Sequence, residues 1–150
     1  MRRLPVYLLV DTSGSMKGEP IAAVNSGLQT LVSSLRRDPQ ALETAHLSII
    51  TFDREARLVL PLTPVAELQL PLIETPDSGP TMTGAALELL CQRVDVEVRT
   101  QSTDVKRDWK PILFDFFQLL VNKSRNDLHA GHSISRRLRQ IRIPLLETIT

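Results

Sequence analysis

Near the start of the chain, Leu4 to Val10 form an unbroken apolar run that stops at an abrupt polar loop, Asp11-Thr-Ser-Gly-Ser15. No other feature narrows the fold as much. A run of strand length with no polar alternation predicts a strand buried on both faces, the position of a central strand in a mostly parallel sheet. Such sheets gather the loops at the carboxyl ends of their strands into one crevice, so Asp11, Ser13 and Ser15 are expected to converge on a ligand position.

The segments that follow supply the partners for such a strand. Pro20 suits the first turn of a helix, and Ile21, Val24, Leu28, Leu31, Val32 and Leu35 recur at helical spacing up to a stop at Asp38-Pro39. Ala45 to Phe52 and Arg57 to Leu62 favour strands and are separated by a hairpin-sized gap, which predicts an antiparallel pair. Five prolines between positions 61 and 80 predict a surface loop with one short helical turn. Ala86, Leu87, Leu90, Val94 and Val98 then mark a second core-facing helix, and Ile112 to Phe114 a third buried strand. This order implies an α/β domain of three layers, with helices on both faces of a central sheet.

The composition limits the function less than the loop does. With 150 residues and 42% hydrophobic content, one domain with a substantial core is expected. Eighteen basic side chains against seventeen acidic ones give no global argument for nucleic acid or an anionic membrane as the main partner. The balance is uneven, because residues 122 to 142 hold six basic side chains against Asp127 alone. No aromatic residue interleaves with those arginines, so a solvated tail is expected there rather than an RNA-binding surface. The single cysteine, Cys91, lies in an apolar helical pattern and fits a buried thiol in a reducing cytoplasm. Val6 to Val10, although preceded by Arg2 and Arg3, is too short for a signal-peptide core or a membrane span.

In the loop itself, one carboxylate and two hydroxyls are hard oxygen donors suited to an octahedral Mg²⁺ or Mn²⁺ that keeps several waters. Gly14 and Gly18 are expected to let the backbone turn so that alternate side chains point inward. Other chemistries lack their parts. A Mg²⁺-dependent phosphohydrolase with Asp11 as nucleophile is the alternative reading, but Ser13 stands where its second acid belongs. The chain has no Gly-x-x-x-x-Gly-Lys-Ser/Thr segment for a nucleotide and no Gly-x-Ser-x-Gly elbow for a serine hydrolase. His129 and His132 have a spacing seen in zinc sites but no neighbouring thiol or acidic cluster. Trp109 is expected to pack at a sheet margin rather than serve as a binding platform.

Asp11-Thr-Ser-Gly-Ser15 resembles the DxSxS signature of the metal-ion-dependent adhesion site of von Willebrand factor A-type (VWA) domains. The flanking residues, with Thr51-Phe-Asp53, Ser78-Gly-Pro-Thr81 and Asp108-Trp-Lys-Pro111, are similar to the bacterial TerY-like branch associated with tellurium resistance. The resemblance implies a Rossmann-like fold with a mostly parallel sheet and an antiparallel edge hairpin. It also implies a metal held by Ser13 and Ser15 directly, by Asp11 from the first or second shell, and by Thr81, with Thr83 a close competitor. A partner's Asp or Glu would complete the coordination, so the domain is expected to be a protein-interaction module rather than an enzyme, alternatively a non-functional truncated fragment.

The resemblance covers residues 1 to 114. The family's Asp-Gly pair after the third strand is missing, and its role is not carried over to Asp115. Residues 115 to 150 read as a divergent basic segment, disordered or helical. A reading-frame shift or truncation of a longer gene after about residue 114, leaving the fold incomplete at the C-terminus, is the expectation that joins these two departures.

Overall fold

The computed structural model describes residues 1–76, 81–100, 102 and 105–115. The apolar opening run becomes strand β1 (Leu4–Asp11), buried from its second residue to its last. A 3-10 turn over Gly14–Met16 leads into helix α1 (Glu19–Arg37). Gly18 caps that helix with φ 86°, the one positive φ among the described residues and a conformation that costs glycine no Cβ clash. Gly14 needs no such freedom. Pro20 is the second helical residue rather than the first, behind Glu19, whose charge suits the positive end of the helix dipole.

Helix α1 ends as expected at Asp38, but the same residue starts a short helix α2 (Pro39–Thr44), its carboxylate accepting the N–H groups of Gln40 and Ala41. Strand β2 (Ala45–Phe52) follows and pairs with β3 (Ala56–Pro64) antiparallel. After helix α3 (Thr83–Glu97) comes β4 (Ile112–Asp115). The sheet order is β3-β2-β1-β4, with β1 parallel to both β2 and β4. The expected mostly parallel sheet with an antiparallel edge hairpin is what forms.

Alternation along β1 builds two cores. Val6, Leu8 and Val10 pack with Leu47 and Ile49 of β2 against Ile21, Leu28 and Val32 of α1. Tyr7 and Leu9 pack with Ile50, Phe52 and Leu113 against Ala86, Leu90 and Val94 of α3. The two helices therefore cover opposite faces, and the domain has three layers. Cys91 is buried on α3.

Two details of the proline-rich stretch differ from expectation. Pro61 and Pro64 lie inside β3, which extends past Leu62 because an edge strand tolerates missing amide donors. Beyond it, the irregular segment is not merely a surface loop: Val65, Leu68 and Ile73 are buried in the α1-side core. Asn25 exchanges two hydrogen bonds with the backbone of Ile73, and Arg36 donates to the carbonyls of Val65 and Leu68. A polar cleft of about 720 Å³ lies between α1 and residues 66–70.

The amino-terminal end of the sheet is tied by charge. Arg3 grips the buried Asp108 carboxylate, with its closest contact at 2.6 Å, and the Arg99 amide donates to the same group at 2.7 Å. Arg3 also donates to the Glu97 carbonyl. The Glu97 carboxylate accepts from Tyr7, from Arg93 and from the Leu62 amide. Trp109, half-exposed at 49%, is not an ordinary packing residue, since the Arg2 guanidinium sits 3.9 Å from its ring centroid.

No described helix is long and apolar enough to cross a membrane. His129, His132, the arginine-rich stretch and the divergent segment beyond position 115 lie outside the described residues.

Candidate metal centre

The end of β1 delivers Asp11 fully buried at the carboxyl edge of the sheet. There the backbone leaves the strand through Thr12, whose amide still bonds the Phe52 carbonyl at 2.9 Å, and then folds back. The return is set by Asp11 itself: one carboxylate oxygen, Oδ1, accepts the Ser13 amide at 2.7 Å. The resulting 3-10 turn places the Ser13 and Ser15 hydroxyl oxygens 3.2 Å apart. Ser13 is buried and Ser15 exposed, so the pair runs from the core to the surface.

Asp11 Oδ2, the second oxygen, is buried and has no hydrogen-bond partner. Buried carboxylate oxygens are costly to leave in this state, and each one calls for a ligand, an ion or water. The donor set fits a small hard cation on two counts. It consists only of oxygens. Adjacent ligands around an octahedral Mg²⁺ at about 2.1 Å lie about 3 Å apart, close to the separation of the two serine hydroxyls. Among the described residues no three His, Cys, Asp or Glu side chains come together, which leaves no second candidate of the soft-metal kind.

The neighbouring carboxylate, Asp53, is already engaged. It is buried at the end of the β2–β3 hairpin turn and accepts from the Thr12 hydroxyl at 2.9 Å, the Glu55 amide at 3.2 Å and Arg57 at 3.3 Å. Burial pushes its carboxyl up, but the Glu55 amide, the Thr12 hydroxyl and the Arg57 charge outweigh that and hold it below the usual carboxylate range. Its carbonyl accepts the Met82 amide at 2.8 Å.

Of the residues singled out from the sequence, Asp11, Ser13 and Ser15 meet in one turn. Thr81 is exposed and is linked to that turn through its neighbour Met82 and Asp53, while Thr83 is half-buried as the first residue of α3. Ser78 to Pro80 lie outside the described residues. Thr12 and Asp53 had no predicted role, and the only sequence signal for them is a hydroxyl and a carboxylate each standing directly after an apolar strand.

Comparisons with known proteins bear on the family and the fold. The profile of the von Willebrand factor type A domain matches residues 6–114. Protein sll0103 of Synechocystis sp. is 39% identical over 61 residues, which is 39% of this chain and 13% of that protein. Among solved structures, the pilus adhesin SpaC of Lactobacillus rhamnosus GG superposes with a TM-score of 0.55 at 17% identity, over 75% of this chain and 14% of its own. A mutant of the PilB minor pilin of Streptococcus sanguinis gives 0.54 at 12% identity, over 77% and 29%. The chain thus spans a small part of the length of these relatives. With the profile covering residues 6–114, most of the chain, the chain belongs to the von Willebrand factor type A domain family.

Proposed function

We propose that this domain is a metal-dependent protein-interaction module in which Asp11, Ser13, Ser15 and Thr81 hold Mg²⁺ or Mn²⁺ and an Asp or Glu of a partner protein completes the coordination. The buried, unpartnered Oδ2 of Asp11, on the carboxylate that also holds the turn pairing the Ser13 and Ser15 hydroxyls, carries this reading. Thr81 is included because Met82, next to it, is bonded to the same hairpin end that holds Thr12.

Charge supports the choice of partner. The Asp53 carboxylate is occupied by Thr12, Glu55 and Arg57, whereas Asp11 keeps one oxygen unpartnered. A divalent ion there keeps a net positive charge, which favours an outside carboxylate as a strong, charge-assisted ligand. When bound, the metal supplies that electrostatic anchor; the side chains hold it and orient the open position. Binding rather than catalysis is the role proposed, because Ser13 stands where a phosphohydrolase with Asp11 as nucleophile would need its second acid. The resemblance of the flanking motifs to the TerY-like branch supports a role in complexes of tellurium or stress resistance in a reducing cytoplasm.

Calorimetric titration with Mg²⁺ and with Mn²⁺ tests this. Wild type should give a binding isotherm that Ser13→Ala with Ser15→Ala removes; equal heats from both proteins would rule the reading out.

A further inference from the structure

We infer that Asp53 is a positioning residue that locks the two loops of the metal site to one another; the inference rests on the proposed site but has its own test. Asp53 is buried and is held on both its side chain and its backbone. Its Oδ2 takes the Thr12 hydroxyl, the residue directly between Asp11 and Ser13. Its Oδ1 takes the Glu55 amide, and its own amide bonds the Glu55 carbonyl at 3.1 Å, so the hairpin end is closed around it. Its carbonyl then takes the Met82 amide, the residue directly after Thr81.

One residue therefore touches the chain next to each of the two groups of donors, which stand far apart in the sequence. The Asp11–Ser15 turn is bonded to its own strand neighbour by Thr12 and Phe52. Thr81 and Met82, just before α3, lie in no strand, and the Met82 amide bonds the Asp53 carbonyl at the hairpin. Asp53, its carboxylate used by three donors, is assigned a supporting place rather than a ligand's. It acts through Thr12 and Met82 by fixing where their neighbours stand, as groups behind a metal's ligands commonly do.

The experiment has a metal-free arm and a metal arm, both on the full chain. Amide hydrogen exchange without metal compares wild type with Thr12→Val, which keeps the shape of the side chain and removes its donor, and with Thr12→Ser, which keeps the hydroxyl. The brace predicts that Thr12→Val speeds exchange at Met82 together with the Ser13–Met16 turn, on the order of 10-fold, while the amides of β1 keep their protection and Thr12→Ser behaves as wild type. Acceleration confined to the Ser13–Met16 turn, or equal in Thr12→Val and Thr12→Ser, would overturn it. In the second arm, Mn²⁺ affinity should fall about 10-fold in Thr12→Val and in Asp53→Asn, with no further loss in the double variant, because both cut the same link. Undiminished Mn²⁺ affinity in a folded Thr12→Val would also overturn the brace. If wild type binds no Mn²⁺, the metal reading fails and the exchange arm alone decides the brace.

Discussion

The two ends of the sheet treat buried charge in opposite ways. At the amino-terminal end, Asp108 is saturated by Arg3 and the Arg99 amide, and Glu97 by Tyr7, Arg93 and the Leu62 amide. Among the described residues, the one buried side-chain polar atom lacking a partner there is Arg93 Nε, on a guanidinium that already holds Glu97 through a terminal nitrogen. At the carboxyl end, Asp11 keeps an entire oxygen unpartnered on the carboxylate that holds the serine turn. A network that satisfies itself stabilises the fold and has nothing left to offer a ligand. A loop that leaves an acceptor open has kept a place for something from outside.

The contrast can be broken by substitutions at each end. The largest effect is expected from Asp108→Ala, which strands the partly buried Arg3 guanidinium; a loss of about 3–5 kcal/mol in denaturant unfolding is predicted. A loss below about 1 kcal/mol would show that the amino-terminal network is not structural. Tyr7→Phe removes one hydrogen bond to a charged acceptor and should cost about 2 kcal/mol by the same measurement.

At the opposite end, Asp11→Asn should act in the other direction. It keeps an acceptor for the Ser13 amide and replaces an unpaired buried charge with a neutral amide, so the metal-free protein should be as stable as wild type or more so by about 1 kcal/mol, while Mn²⁺ binding disappears. A strong loss of metal-free stability would place Asp11 with Asp108 as a structural group. The smallest effect belongs to the exposed Arg2–Trp109 contact, where Arg2→Ala should cost about 0.5–1 kcal/mol.

Acid sharpens the same comparison. Burial pushes the Asp108 carboxyl up, but Arg3 and the Arg99 amide hold it below its ordinary 3.8. The stabilisation is therefore complete above that ordinary value and is lost as pH falls through the lower value of the folded state. Asp53 contributes with the same sign. Unfolding measured between neutral pH and about pH 2 should show stability falling below about pH 4, with a shallower fall in Asp108→Asn.

Much of this was legible in the sequence because it follows from periodicity. The unbroken Leu4–Val10 run, the helical recurrence from Ile21 to Leu35 and the Ala45–Phe52 strand each carry their fold in residue order. What escaped depends on context. Helix α2 is six residues long with no apolar repeat, and the Asp38-Pro39 pair that ends α1 also starts it. Pro61 and Pro64 read as strand breakers until β3 is known to be the sheet edge. The loop motif pointed to Asp11, Ser13 and Ser15, which meet in one turn, but the bond from Thr12 to Asp53 spans 41 positions and leaves no local pattern.

The most direct measurement of the central claim is an anomalous-scattering map from crystals grown with Mn²⁺. The account predicts a peak about 2.1–2.2 Å from Asp11 Oδ2 or from a water bound to it, and from the hydroxyls of Ser13 and Ser15, with Thr81 adjoining. Full-occupancy Mn²⁺ elsewhere, with that turn unchanged and without a peak, would contradict it.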